Sequence, residues 1–239
     1  MGEGDGVGRR QSPPLRTMAE DVAATGDAAS ADAASGPVLS LLSRGLEFWV
    51  RQQCQAIESL EIRLEGSALQ LLRGRLEGVR VQARGVRYQD LELAEVRLRG
   101  EAMRVRMGSL VRRQSLELEN PFEVAGSIVF SGEGLNRSLA HPSWSWLGDE
   151  LAEGLLGIRP LSGLRLEEDR LVLQAIPSGP EAAPVERTTR VEAQAGTVAL
   201  RSENGELAMS LPMDDSIQVE RATLGSGLLE LVGRTTIQP

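Results

Sequence analysis

The sequence predicts an α+β fold in which a long antiparallel, curved β-sheet wraps around amphipathic helices. Three observations predict it. Apolar residues recur at helical spacing just after residue 37, a period of two then dominates, and helical spacing returns between residues 132 and 157.

Residues 1–37 read as a disordered tail, because Gly, Ala, Ser, Asp and Pro dominate there and no sustained apolar period could offset the chain entropy lost on ordering. Met18 is an alternative start to Met1. Residues 38–239 read as a single α+β domain, long enough to bury roughly 70% of its unfolded surface. The order of helix and then strands occurs in 38–130 and again in 131–239, as two similar halves would show.

In the first helix, Leu39, Leu42, Leu46, Trp49, Val50 and Ile57 fall at helical spacing while Arg44, Glu47, Arg51 and Gln52 take other faces. Ser35 and Pro37 supply start signals, and Cys54 is placed on this helix as a small core residue. Alternation follows at Leu60, Ile62 and Leu64, at Val79, Val81 and Ala83, at Val96 and Leu98, and at Met103, Val105 and Met107. A short helical piece over 109–113 interrupts it before Leu116 and Leu118, and 122–130 forms the next strand. Leu135 and Leu139, then Leu147, Leu151 and Leu155, give two short helices broken at His141, because Pro142 lacks an amide and disfavours a helical residue before it.

Strands resume at Leu164 and Leu166, with a turn over 167–169 leading to Leu171 and Leu173. Residues 177–184 form a loop, followed by Val191, Ala193 and Ala195 and by Val198 and Leu200. Asn204–Gly205 predicts a two-residue hairpin with positive φ at both positions. Leu207, Met209 and Leu211 form its return strand, and Ile217, Val219 and 228–232 complete the sheet.

Hydrophobic residues make up 41% of the chain and charged residues 25%, which is ordinary for a globular protein and excludes wholesale disorder and a membrane-embedded class. No stretch approaches the roughly 20 apolar residues needed to span a bilayer. The single Cys54 forms no internal disulfide, and the N-terminus lacks an apolar secretory segment. The expectation is a cytoplasmic protein that touches membranes only peripherally.

The catalytic inventory is thin: one His, one Cys, one Tyr and no Lys. His141 reads as a capping or exposed residue, and Tyr88 falls on the apolar phase of its strand. The clusters 167–169 and Asp214–Asp215 lie in turns and lack metal-ligand spacing. No catalytic residue, metal site or cofactor is therefore expected.

Charge distribution carries more information. Between Arg73 and Arg113, 11 arginines meet five acids, an excess of six positive charges in a chain of net −8. Two readings stand: a solvated strand face that discourages edge pairing, or a face that attracts an anionic surface. Nucleic acid is not expected, because Tyr88, assigned inward, offers no stacking platform. Trp144, Trp146, Leu147, Leu151 and Leu155 form either core or the mouth of a cavity, and Phe48 and Trp49 carry the same two readings.

The segments GRLEGVRVQARGVRYQDLELAEVRLRGEAMRVRMGSLV (residues 74–111) and FEVAGSIVFSGEGLNRSL (122–139) resemble the LmeA-like phospholipid-binding family, particularly its cyanobacterial members. The matching features are the amphipathic helix before the first strand, the paired Gly-Val strands with Val86 and Tyr88, and the Leu135–Asn136 start of the second helix. The resemblance implies a sheet wrapped around a helix, with an apolar groove in the style of tubular lipid-binding domains. It also implies phospholipid binding without catalysis. Envelope members of that family are exported, whereas no export signal is read here.

The expected function is non-enzymatic binding of a phospholipid or another acyl-chain lipid, with peripheral contact to anionic membrane. Leu42, Leu46, Trp49, Val50, Val81, Val105, Trp144, Trp146, Leu147 and Leu151 would line the apolar groove. Arg80, Arg84, Arg97, Arg99, Arg104 and Arg106 would meet the anionic headgroup or surface. Each buried acyl methylene gains about 0.8 kcal/mol, so the groove rather than surface charge would set affinity. The alternative is a protein–protein interaction module that docks a partner on the basic strand face or the apolar helix face.

Overall fold

A computed structural model describes residues 37–67, 69–70, 73–104, 119–178 and 183–238. The expected N-terminal tail, Val105, Arg106, Met107, the helical piece over 109–113, Leu116 and Leu118 lie outside the described residues. Helix α1 (Pro37–Gln53) leads into β1 (Ala56–Glu65), β2 (Arg75–Leu76), β3 (Gly78–Tyr88), β4 (Leu91–Gly100) and β5 (Met103–Arg104). Strand β6 (Phe122–Ser131) runs into α2 (Gly132–Ala140), and α3 (Ser145–Leu156) follows. The remaining strands are β7 (Leu161–Leu166), β8 (Leu171–Ala175), β9 (Val185–Gln194), β10 (Thr197–Ser202), β11 (Ala208–Ser210), β12 (Ile217–Gly225) and β13 (Leu228–Ile237).

The fold is α+β with antiparallel sheets, as the patterning predicts. Among the described residues, one sheet has six strands in the order β1-β3-β4-β6-β13-β12, a second has five in the order β11-β10-β9-β8-β7, and β2 pairs with β5. The C-terminal hairpin β12–β13 joins the sheet begun by β1, so the 36–239 unit interleaves its early and late strands.

Pro37 opens α1, where its fixed φ fits and its missing amide costs nothing. The helix stops at Gln53, earlier than apolar spacing suggests. Ile57 belongs to β1, and Cys54 lies just beyond the helix. The cause is pairing: Gln55 donates its amide to the Arg87 carbonyl at 2.9 Å, and the β1–β3 ladder takes over from there.

Two-residue hairpin turns form at three places that carry no Asn-Gly. Gln89–Asp90, Ala195–Gly196 and Ser226–Gly227 each have positive φ at both positions, the twist that matches right-handed strands. Ala195 is accordingly a turn residue rather than a strand residue. At Asn204–Gly205 the expectation fails, because only Gly205 has positive φ and the loop spans residues 203–207. Asn204 Oδ1 instead accepts from Ser202 Oγ (2.7 Å) and the Glu206 amide (3.3 Å), which holds a wider loop.

Tyr88 is also corrected. It is exposed rather than inward, because it is the last residue of β3, where the chain enters the Gln89–Asp90 turn. Val86, two residues earlier on the same strand, is buried.

The core is built in three joined groups. The densest contains Leu151 and Leu155 of α3, Leu171 and Leu173 of β8, Val191, Val198 and Leu200 of the five-stranded sheet, and Phe130, Val219 and Leu229 of the six-stranded sheet. A second gathers Leu39 of α1 with Ile62, Leu64, Leu76 and Met103. Ala83, Val86 and Val96 lie between them, with Leu60 shared on one side and Leu93 and Ile128 on the other. One apolar strip therefore runs along the inner face of the six-stranded sheet.

Candidate functional site

The two ends of that strip differ in completeness. At the α3 end, Leu155, Leu173 and Val198 are at most 1% exposed. At the α1 end, Leu42, Leu46 and Val50 of the helix and Leu60, Val79, Val81 and Phe122 of the sheet are only half-buried. Helix α1 lies on β1, the edge strand, and leaves these inner-face side chains partly uncovered. Phe48 and Trp49 project from the same helix at 66% and 47% exposure.

The expected lining residues fall into two sets. Leu42, Leu46, Val50 and Val81 meet in the α1 cluster, whereas Trp49 of the same helix is exposed. Leu147 and Leu151 belong to the dense α3 cluster. Trp144 is half-buried and donates Nε1–H to the Gln89 carbonyl at 2.7 Å, while the exposed Trp146 donates to the Ser143 carbonyl at 3.1 Å.

The arginines form a second pattern. Cross-strand register aligns Arg63, Arg80, Arg99, Ala125 and Arg234 in one row across β1, β3, β4, β6 and β13. Alternation puts this row on the face opposite Ile62 and Val81, hence opposite the half-covered apolar end. Arg84 and Arg97 share that outer face. Its charge is largely matched: Arg80 and Arg99 approach Glu65 at 2.5 and 3.7 Å, and Arg97 and Arg84 approach Glu95 at 2.8 and 3.5 Å. Glu65 on β1 lies outside the segment whose composition is so basic, so the excess read along the chain is reduced by its neighbours in space.

Arg104 is placed differently. It lies on β5 directly opposite Arg75 of β2, beside a cavity of about 570 Å³ that Leu76, Met103 and Asn120 also line. Sequence reading singled out Arg104, on the polar phase beside Met103, but not Arg75, because β2 is too short to show a period.

A second cavity of about 320 Å³ lies where α2 meets β3 and β4, over Val86, Leu93 and Ala94. On its rim Glu92 accepts from Arg137 Nε (2.8 Å) and Arg87 (3.0 Å). Arg137 also reaches Glu133. Hydrogen bonding from Arg137, aided by Arg87, holds the Glu92 carboxyl below the usual carboxylate range against the opposing effect of burial.

His141 caps the end of α2 and is exposed. Asp90 Oδ2 lies 3.4 Å from its Nδ1 and accepts from Ser143 Oγ at 2.9 Å, while the Ser143 amide donates to the same Nδ1 at 3.3 Å. Serine and aspartate thus crowd one ring nitrogen, whereas a proton relay needs them on opposite nitrogens. The contacts tie the β3–β4 turn to the helix break. Burial pushes the Cys54 thiol up, away from the thiolate that nucleophilic chemistry needs. Among the described residues no group of three or more His, Cys, Asp or Glu side chains is arranged to hold a metal. No helix among them is long and apolar enough to cross a membrane.

Comparison with known proteins gives one match. The family model described as LmeA-like phospholipid-binding matches residues 33–234. No curated protein and no solved structure matches the chain.

Proposed function

Because the chain belongs to the LmeA-like phospholipid-binding family, we propose that it holds a phospholipid or related acyl-chain lipid, without catalysis, in the half-covered apolar layer between α1 and the six-stranded sheet. The observation that carries this reading is the contrast between the two ends of the inner strip. Among the described residues, the α3 end carries 11 buried core side chains against five at the α1 end. At the α1 end, Leu42, Leu46, Val50 and Val81 keep apolar surface in contact with water. An acyl chain laid there removes that surface from water at about 25 cal/mol per Å².

Peripheral contact with an anionic membrane is the second part of the proposal. Phe48 and Trp49 supply exposed aromatic surface beside the apolar layer, and indole rings favour the boundary between headgroups and acyl chains. The outer arginine row, paired with Glu65 and Glu95, contributes weak, salt-sensitive attraction.

The test is mass spectrometry of organic extracts from the purified full chain, together with sedimentation with liposomes. Co-purifying phospholipid that Leu46→Glu removes is the expected result. Lipid-free protein that also ignores liposomes overturns the reading.

A further inference from the structure

We propose that Arg75 and Arg104 together form a binding site for one phosphate group at the mouth of the α1 apolar layer. In placing the phosphate of a bound lipid, the inference rests on the function proposed above.

The two arginines sit directly opposite each other in the β2–β5 ladder. Opposed side chains in an antiparallel pair stand about 5 Å apart at Cβ, and like charges there are destabilising. The alternate residues of the same ladder, Leu76 and Met103, are 6% exposed and pack beneath α1. The period of two therefore directs both guanidinium groups to the opposite, solvent-facing side.

Neither arginine has a carboxylate within 4.0 Å among the described residues. By contrast, Arg80, Arg84, Arg87, Arg97 and Arg99 on the neighbouring strands all have one. Glu77 and Glu119 line the same cavity. Asn120 is already committed: its Oδ1 accepts from the Arg104 amide at 2.9 Å, and its Nδ2 donates to the Pro121 carbonyl at 2.8 Å.

Two opposed cations with no carboxylate within 4.0 Å among the described residues, beside a cavity of about 570 Å³, match an anion with several acceptor oxygens. Phosphate satisfies both guanidinium forks at once. Met103 belongs both to the cavity wall and to the cluster beneath α1, so a phosphate held here is next to the layer an acyl chain would occupy.

The site is tested on the full chain with Arg75→Gln, Arg104→Gln and the double variant. One arm measures binding to phosphatidylcholine vesicles containing phosphatidic acid, against phosphatidylcholine alone. The other titrates inorganic phosphate by calorimetry. We expect wild-type binding to fall at least tenfold in the double variant, while the control Arg165→Gln, which breaks an exposed ion pair with Glu186 on the five-stranded sheet, changes less than twofold. Both arginines are exposed, so the thermal melt should stay in place and confirm that the variants fold.

Loss in the vesicle arm identifies a lipid phosphate. Loss in the inorganic-phosphate arm alone, without vesicle binding by wild type, keeps the phosphate site and overturns the lipid reading. Wild-type binding in neither arm, or binding unchanged in the double variant, overturns the site.

Discussion

Asn136 of α2 holds both backbone polar groups of Leu164. Its Nδ2 donates to the Leu164 carbonyl at 2.7 Å, and its Oδ1 accepts from the Leu164 amide at 2.8 Å. Leu164 is buried on β7, an edge strand, so the side-chain amide stands in for the missing neighbouring strand. Asn136→Asp removes the donor and turns an oxygen toward the carbonyls of Leu164 and Gly132, the latter now 2.8 Å from Nδ2. The expected cost is about 2–3 kcal/mol, read from chemical denaturation. A change below about 0.5 kcal/mol would show that the amide does not bear on the edge.

Glu92 predicts an acid-sensitive link between α2 and the sheet. Its carboxyl is held below the usual range, chiefly by Arg137, so the folded state binds the proton less readily than the unfolded chain does. The sign follows: the contribution is complete above the unfolded value of about 4.3 and disappears as pH falls through the lower folded value. Glu92→Gln should melt below wild type at neutral pH, with the gap closing as pH falls through the lowered folded-state value. A gap that stays constant across this range would assign the loss to packing instead.

The two ends of the apolar strip should respond differently to truncation. Leu155→Ala, at a position 1% exposed, is expected to cost about 2–5 kcal/mol. Leu42→Ala, at a half-buried position, should cost roughly 1 kcal/mol while reducing the phospholipid that co-purifies. Equal destabilisation at the two sites, measured by urea midpoints, would contradict an incompletely covered α1 layer.

Gly126 marks where the sheet tolerates no side chain. A Cβ there would overlap the Arg97 carbonyl and come within 2.9 Å of Leu98 Cα, both backbone atoms of the adjacent strand β4. Ladder backbone cannot yield as a flexible side chain does, so Gly126→Ala is expected to cost about 3 kcal/mol or more. An unchanged denaturation midpoint would refute this close approach.

Most local elements are legible from the order of residues alone. A period of two at Leu60, Ile62 and Leu64 and helical spacing at Leu39, Leu42 and Leu46 are set by how backbone geometry presents consecutive side chains to one face. Pro142 likewise fixed the helix break at His141, because the chemistry of one residue suffices. Periodicity also told apolar from polar faces, so the inner residues Ile62 and Val81 were legible as such.

Tertiary structure decided which faces meet and which charges neutralise. Glu65 screens Arg80 and Arg99, Arg75 stands opposite Arg104, and Asn136 reaches Leu164, in each case across 15 to 34 positions of chain. Linear patterning has no register between distant segments, and register is what brings such groups together. The same limit explains why Leu151 and Leu46 look alike in the sequence. One packs in a cluster drawn from both sheets, while the other sits on a helix that lies on the edge strand of one, and burial is a property of the assembled layers rather than of the residue.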